Sequence, residues 1–156
     1  MSEHSLIKIE QKIESFDITK IIEYSKKIRD FASLNRMMVP NYLKDYIIGY
    51  DITSSALANV TKLLLESESV LKTCESIAYL DRASEYLKSK EIKDTSGARE
   101  MYIAIDEDVI RAKDLVAKLT ALQMLLKHKL MAFKLAHDSL KKVYYSDDGG
   151  TSYEGM

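Results

Sequence analysis

Apolar positions in this chain recur by threes and fours over long stretches, the spacing that gathers side chains onto one stripe of an α-helix. Leu57, Val60, Leu64, Leu71, Cys74 and Ala78 form one such stripe, and Val109, Ala112, Val116, Leu119, Leu126, Leu130, Phe133 and Leu140 form another. Each has the pattern of a seam packed against a neighbouring helix. From Tyr42 to about Ile92 nothing ends a helix except Gly49, which a helix tolerates, and the β-branched patch around Thr53. The spacing predicts a long helix over about 42–92, roughly 75 Å at ~1.5 Å per residue, with Asn41 as its cap. The stretch KDTSGARE then supplies a turn at Gly97, with Thr95 and Ser96 suited to a new cap, and a second long helix is expected over about 98–143. Two long helices joined by a few residues run antiparallel.

Upstream, Leu6, Ile7, Ile9, Ile13 and Phe16 mix alternating and helical spacing and read as a short helix over 6–16. Asp17 is placed to cap the next one, to which Ile18, Ile21, Ile22, Ile28 and Phe31 give an apolar face. Pro40 in NRMMVPNY breaks the pattern, because the residue before a proline is pushed out of helical geometry. The expected fold is all-α. It is a single helical domain over 1–145, an elongated antiparallel, coiled-coil-like hairpin with one or two shorter helices within 5–36. The segment 146–156, SDDGGTSYEGM, has the composition of a flexible acidic tail. Leu115, Leu122, Leu125 and Met131 widen the last stripe beyond a two-helix seam, and assembly into a homo-oligomer would cover them.

Composition narrows the function classes. The chain has 156 residues, 46% of them hydrophobic, which suits one folded domain, and its single proline and five glycines leave few helix breakers. A net charge of −1 and a pI near 6.3 exclude coating of nucleic acid by bulk charge, so any polyanion binding must come from local segregation. The lone Cys74 allows no intramolecular disulfide, and the start MSEHSL lacks the basic-then-apolar pattern of a secretion signal. No run approaches the roughly 18 apolar residues of a membrane span. The chain therefore reads as cytoplasmic, with no membrane partner.

Few residues suggest chemistry. His128 and His137 lie nine positions apart, on opposite sides of a helix, and cannot share a metal ion; His137 falls on the apolar stripe and reads as a hydrogen-bonded core or interface histidine. Cys74 reads as a small buried thiol rather than a nucleophile. Asp106, Glu107 and Asp108 fan out around the helix axis, which favours a first-turn or capping role over metal binding. There is no phosphate-cradling glycine loop, nucleophile motif or catalytic carboxylate pair. No catalytic residue, metal, cofactor or small-molecule substrate is expected, and an enzyme is the least supported class.

Charge segregation stands out from this background. From Arg111 to Lys142 there are eight basic residues, Lys118, Lys129 and Lys142 among them, against Asp114 and Asp138, a local balance of +6. Lys113, Lys127, Lys134 and Lys141 differ by multiples of seven and so lie near one line of a helix, able to follow phosphates or to pair with an acidic helix such as that of Glu66, Glu68, Glu75 and Asp81. A second group, Arg82, Lys88, Lys90 and Lys93, surrounds Tyr79 and Tyr86 beside Arg99 and Tyr102. Rings among cations suit single-stranded nucleic acid, whose unstacked bases lie on the rings while the cations meet phosphates. The ten tyrosines with no tryptophan fit a ligand-free helical interface as well.

Two short motifs carry a resemblance. IDEDVIR, residues 105–111, is similar to the Asp-x-Asp-Val-aliphatic-basic stretch of the UvsY-type recombination mediators of phages, and RASEY with its following lysines, residues 82–90, is similar to that family's Arg-then-Tyr segment. The resemblance spans about residues 60–140. This chain has Lys-Ser-Lys-Glu where the family has a glycine-rich basic loop, and it adds the acidic tail. The resemblance implies a small helical protein that assembles into rings and helps load a recombinase onto single-stranded DNA. A recombinase and a single-strand-binding protein would be its partners, and the host cytoplasm its compartment if phage-encoded. Arg82, Tyr86, Lys88 and Lys90 would touch DNA while the last helix assembles the oligomer. The expectation is a non-enzymatic accessory protein that binds single-stranded DNA through Arg82, Tyr86, Lys88, Lys90, Lys93, Arg99, Lys113, Lys127, Lys134 and Lys141. The rival readings are a structural coiled-coil adaptor or virion-assembly component without nucleic-acid binding, and a helical inhibitor that fills an enzyme's nucleic-acid channel.

Overall fold

A computed structural model describes residues 2–28 and 36–146, and among them there is no strand: the chain is all-α. Helix α1 spans Ser2–Glu14, α2 Thr19–Lys27, α3 Val39–Ile77, α4 Ala83–Ser89, α5 Ser96–Ile103 and α6 Glu107–Ser146. A 3₁₀ turn, Arg36–Met38, leads into α3, and a π-helical turn, Ala78–Arg82, joins α3 to α4 without a break in the helical path. Residues 29–35, with Phe31, and the tail from 147 onward lie outside the described residues.

Asp17 serves the start of α2 much as its sequence position suggests. Its Oδ1 accepts the Thr19 amide at 2.8 Å although Ile18 is the capping residue, and the hydrogen bonds from Thr19 hold its carboxyl below the ordinary range. Pro40 does not end a helix. It sits in the first turn of α3, where its missing N–H would have had no partner anyway, so the helix begins at Val39 and Asn41 is inside it rather than its cap. The path then stays helical to Ser89.

The stop after Ser89 is made by backbone. Ile92 donates to the Leu87 carbonyl at 2.9 Å and Glu91 to that of Lys88 at 3.2 Å, with Glu91 at φ 55 in the left-handed region that glycine usually fills. Thr95 caps α5 as expected, its Oγ1 accepting the Ala98 amide at 3.2 Å. The helix expected over 98–143 is interrupted at 104–106, because Asp106 turns its side chain onto the Val109 amide at 3.2 Å and restarts the helix as α6. That is the capping role expected of the acidic cluster, carried by its first member.

The chain falls into two compact units, Met1–Phe16 with Asn59–Gln123, and Asp17–Ala58 with Met124–Met156. In the first, the α3 and α6 segments run antiparallel: Gln123 donates to Thr61 at 3.0 Å and Lys113 lies 3.6 Å from Glu75. Val60, Leu64, Cys74, Ala78, Ala83 and Leu87 are buried there with Val109, Ala112, Leu115 and Leu119. Helix α1 docks on its own chain, with Leu6 and Ile9 buried, Lys12 3.1 Å from Glu66 and Arg111 3.1 Å from Glu10. Leu115 is therefore covered and does not belong to an exposed back.

In the second unit Tyr46 and Thr53 of α3 are buried with Leu126, Phe133, Ala136 and Leu140 of α6. Helix α2 is tied to α3 by Lys27 on Asp45 at 2.8 Å and by the Tyr46 hydroxyl, which donates to the Lys27 carbonyl at 3.2 Å. The helices approach closely because Gly49 has no side chain: a Cβ there would lie 2.6 Å from Phe133 Cζ. Phe133 is fully buried, so the ring must shift within the seam to admit a larger residue.

Two glycine substitutions test this packing. Overpacking against a buried ring costs about 1–3 kcal/mol and alanine returns about 1 through helix propensity, so Gly49→Ala is expected to lose a net of up to ~2 kcal/mol. Gly97→Ala, where an added Cβ meets nothing within 4 Å in the first turn of α5, is expected to gain about 0.4–1 kcal/mol. Urea unfolding reads both as midpoint shifts at constant slope.

Candidate nucleic-acid interface

The residues singled out as cations for DNA fall in both units, and their surroundings differ. In the first unit the π turn places Arg82 against the start of α6. Its Nη1 donates to Asp108 Oδ2 at 2.8 Å, and its Nη2 lies 3.0 Å from Asp106 Oδ1 as an ion pair. The Asp106 side chain is 2% exposed and that of Arg82 32%. Burial alone would lower the Arg82 pKa, but the hydrogen bond to Asp108 and the charges of Asp106 and Asp108 outweigh it and hold the guanidinium charged. Burial, with an interaction from Asp106, pushes the Tyr102 phenol up. Burial first, then the Asp108 charge, pushes up the thiol of Cys74, which is fully buried and so held in its un-ionised form.

The rings of this unit also have neighbours in their own chain. Tyr86 packs on Tyr102 with centroids 5.0 Å apart, and the Arg99 guanidinium sits 5.5 Å from the centre of the Tyr79 ring. Arg99 grips Asp94 with two bonds of 2.7 Å and donates to the Tyr79 carbonyl at 3.2 Å. These bonds raise the Arg99 pKa and lower that of Asp94. Lys113 faces Glu75. Of the expected contacts here, Arg82, Tyr86, Arg99 and Lys113 are thus engaged within the chain, and Lys88, Lys90 and Lys93 remain exposed around the 90–95 turn with no ion pair among the described residues.

The second unit is different. Between Met124 and Ser146, α6 carries five lysines against Asp138 alone, a balance of +4. Leu126, Phe133 and Leu140 point into the seam, so Lys127, Lys134 and Lys141, each one position on, stand about 100° round the helix and are exposed. No ion pair engages Lys134 or Lys141 among the described residues, and Asp138 is beside His137, with Oδ1 3.3 Å from Nδ1. His128 is exposed and His137 half-buried. Lys129 reaches the Ser25 hydroxyl at 3.3 Å. Met124, Met131 and Leu135 are 54%, 63% and 59% exposed, forming with His128 an outer stripe at steps of four, three and four.

Beside the lysines lies a recess of about 210 Å³, lined by Tyr46, Ile47 and Tyr50 of α3 and by Phe133, Lys134 and His137 of α6. Sequence reasoning did not find it. Its trace is there nonetheless, in two i, i+1, i+4 sets separated by a long stretch of chain, with Gly49 opposite Phe133. Among the described residues no group of three or more His, Cys, Asp or Glu side chains is placed to hold a metal ion, and no helix is long and apolar enough to cross a membrane. Comparison with protein-family models, with curated proteins and with solved structures finds no match to this chain.

Arg82 separates a structural from a DNA-binding role. Arg82→Ala leaves Asp106 buried without its counter-charge and is expected to cost about 2–3 kcal/mol, below the figure for a fully buried pair because a third of Arg82 meets water. Arg82→Lys recovers part of it, since one ammonium cannot match a fork that meets two carboxylates. Chemical unfolding measures the loss; the oligonucleotide affinity of the folded variants is expected to stay within about twofold of the parent.

Proposed function

We propose that this chain is a non-enzymatic accessory protein that binds single-stranded DNA and acts as a homo-oligomer, presenting the strand to a recombinase in the company of a single-strand-binding protein. The observation that carries this reading is the row of exposed lysines 127, 134 and 141 on α6, in which Lys134 and Lys141 have no carboxylate partner among the described residues. Ammonium groups at heptad intervals suit a phosphate backbone: each contact is weak, and several copies on one strand add through effective concentration. Lys88, Lys90 and Lys93 supply a second set of outward cations, whereas Arg82 and Arg99 are taken up by Asp106, Asp108 and Asp94 and have no part in the grip.

A specific observation favours a second reading, that of a structural adaptor. The stripe of Met124, His128, Met131 and Leu135 is exposed at helical spacing and suits an amphipathic helix of a partner, with the flanking lysines pairing to its acids.

Salt dependence decides between the two. For single strands log K falls with log salt at about 0.7 per neutralised phosphate, so Lys134→Ala with Lys141→Ala is expected to reduce that slope by about 1.4. The measurement is a fluorescence-polarisation titration of a labelled oligonucleotide at several salt concentrations. Absence of binding at low salt, or an unchanged slope in the double variant, removes this reading in favour of the adaptor or of the 88–93 lysines respectively.

A further inference from the structure

The recess beside Lys134 is built for one flat group. Its floor is Phe133 and Tyr46, both fully buried, and its rim is Tyr50 and Ile47, 41% and 56% exposed, with Lys134 and His137 across from them on α6. At about 210 Å³ it falls below the roughly 300–1,000 Å³ of pockets that enclose drug-sized ligands, so it takes a single ring system rather than a cofactor. The lining is apolar and aromatic except at that one edge, where Lys134 places a cation. Lys127 and Lys141 stand one heptad to either side, about 10.5 Å away along the helix axis. A flat, largely apolar group attached to a chain of negative charges matches this juxtaposition, the group entering the recess beside Tyr50 and the charges following the lysines.

We infer that the recess lined by Tyr46, Ile47, Tyr50, Phe133, Lys134 and His137 accepts one unstacked nucleobase of a single DNA strand, with Lys134 on the adjoining phosphate; the inference rests on the function proposed above and adds to it the place where bases are read. The stacking partner in this arrangement is Tyr50, the partly exposed ring of the lining. Gly49 keeps the floor in place by letting the Phe133 ring lie against the α3 backbone. Paired bases, already stacked in a duplex, cannot enter such a slot, so the recess favours single strands whatever their sequence.

The test compares oligothymidylate with an abasic strand of equal length, which keeps the phosphates and lacks the bases, on the full chain at fixed salt. The expected result is a preference for thymidylate of roughly tenfold that is lost in Tyr50→Ala, while the salt slope is the same for variant and parent. Tyr50 is partly exposed, and circular dichroism checks that the variant is folded; Ile47→Ala, on the same rim, is a second variant expected to weaken the preference several-fold. Equal affinity of the parent for both strands overturns the inference while leaving the lysine grip standing. A preference that survives in both variants places the bases elsewhere and overturns it too. Binding of neither strand at low salt removes the function itself, and the recess then belongs to a protein partner's side chain.

Discussion

Burial of an apolar stripe against an antiparallel neighbour is the constraint from which the other features follow. In each unit the α6 segment must turn its seam residues inward, Val109, Ala112 and Leu119 in one and Leu126, Phe133 and Leu140 in the other. At about 100° per residue that choice leaves no freedom for the remaining faces. Once Leu126 and Phe133 point in, Lys127 and Lys134 stand at the flank and Met124, Met131 and Leu135 face out. The seam fixes where the charge goes. In the second unit the constraint is sharpened by Gly49, since its missing side chain brings a large ring into the space between the helices and leaves the recess beside it.

The corner between α4 and α6 answers a different demand, that of finding partners for the free amides and carbonyls at helix ends. A left-handed Glu91 closes α4, the Thr95 hydroxyl opens α5 and the Asp106 carboxylate opens α6. Asp106 is buried in doing so, and a buried carboxylate needs a counter-charge. The π turn provides it, because its wider winding shifts the register so that Arg82 reaches Asp106 and Asp108 while Ala83 and Leu87 re-enter the core. A residue that reads in sequence as a cation for DNA is thereby a positioning group for a helix terminus.

Much of this was legible in the sequence, and the exceptions have physical causes. The all-α class and the inward face of α6 follow from spacing by threes and fours, which hydrophobic burial enforces wherever a helix is long, whereas the turn expected at Gly97 lies at 90–95, with Gly97 already in the first turn of α5. The π turn left a mark that this rule passes over. Buried positions run 60, 64, 67, 74 and 78 at helical spacing and then step by five to Ala83, the signature of one inserted residue. Pro40 was misplaced by assigning it to the end of a helix when its ring suits the first turn equally well. The lysine row could be placed from heptad arithmetic, but the partners of Arg82 could not. Asp106 and Asp108 are 24 and 26 positions from Arg82, and only the folded corner brings them near. The recess was hidden for the same reason, since neither of its halves is unusual by itself.

The division of labour between the two basic residue types bears on what the surface can recognise. Arg82, Arg99 and Arg111 all spend their guanidinium groups on carboxylates of their own chain, where a planar fork gains from paired geometry. The exposed cations of the second unit's α6 are lysines, which act as point charges on flexible stems and meet a phosphate from many directions. A lysine row of this kind gives attraction that depends on salt and has little geometry with which to tell one polyanion from another. On the function proposed, discrimination in favour of a single strand would come from a group that touches the bases, and within the second unit the aromatic recess next to Lys134 has the chemistry for it. Charge and ring are adjacent because the same seam sets both: Phe133 faces inward, Lys134 follows it on the rim, and Tyr46 and Tyr50 meet them from α3.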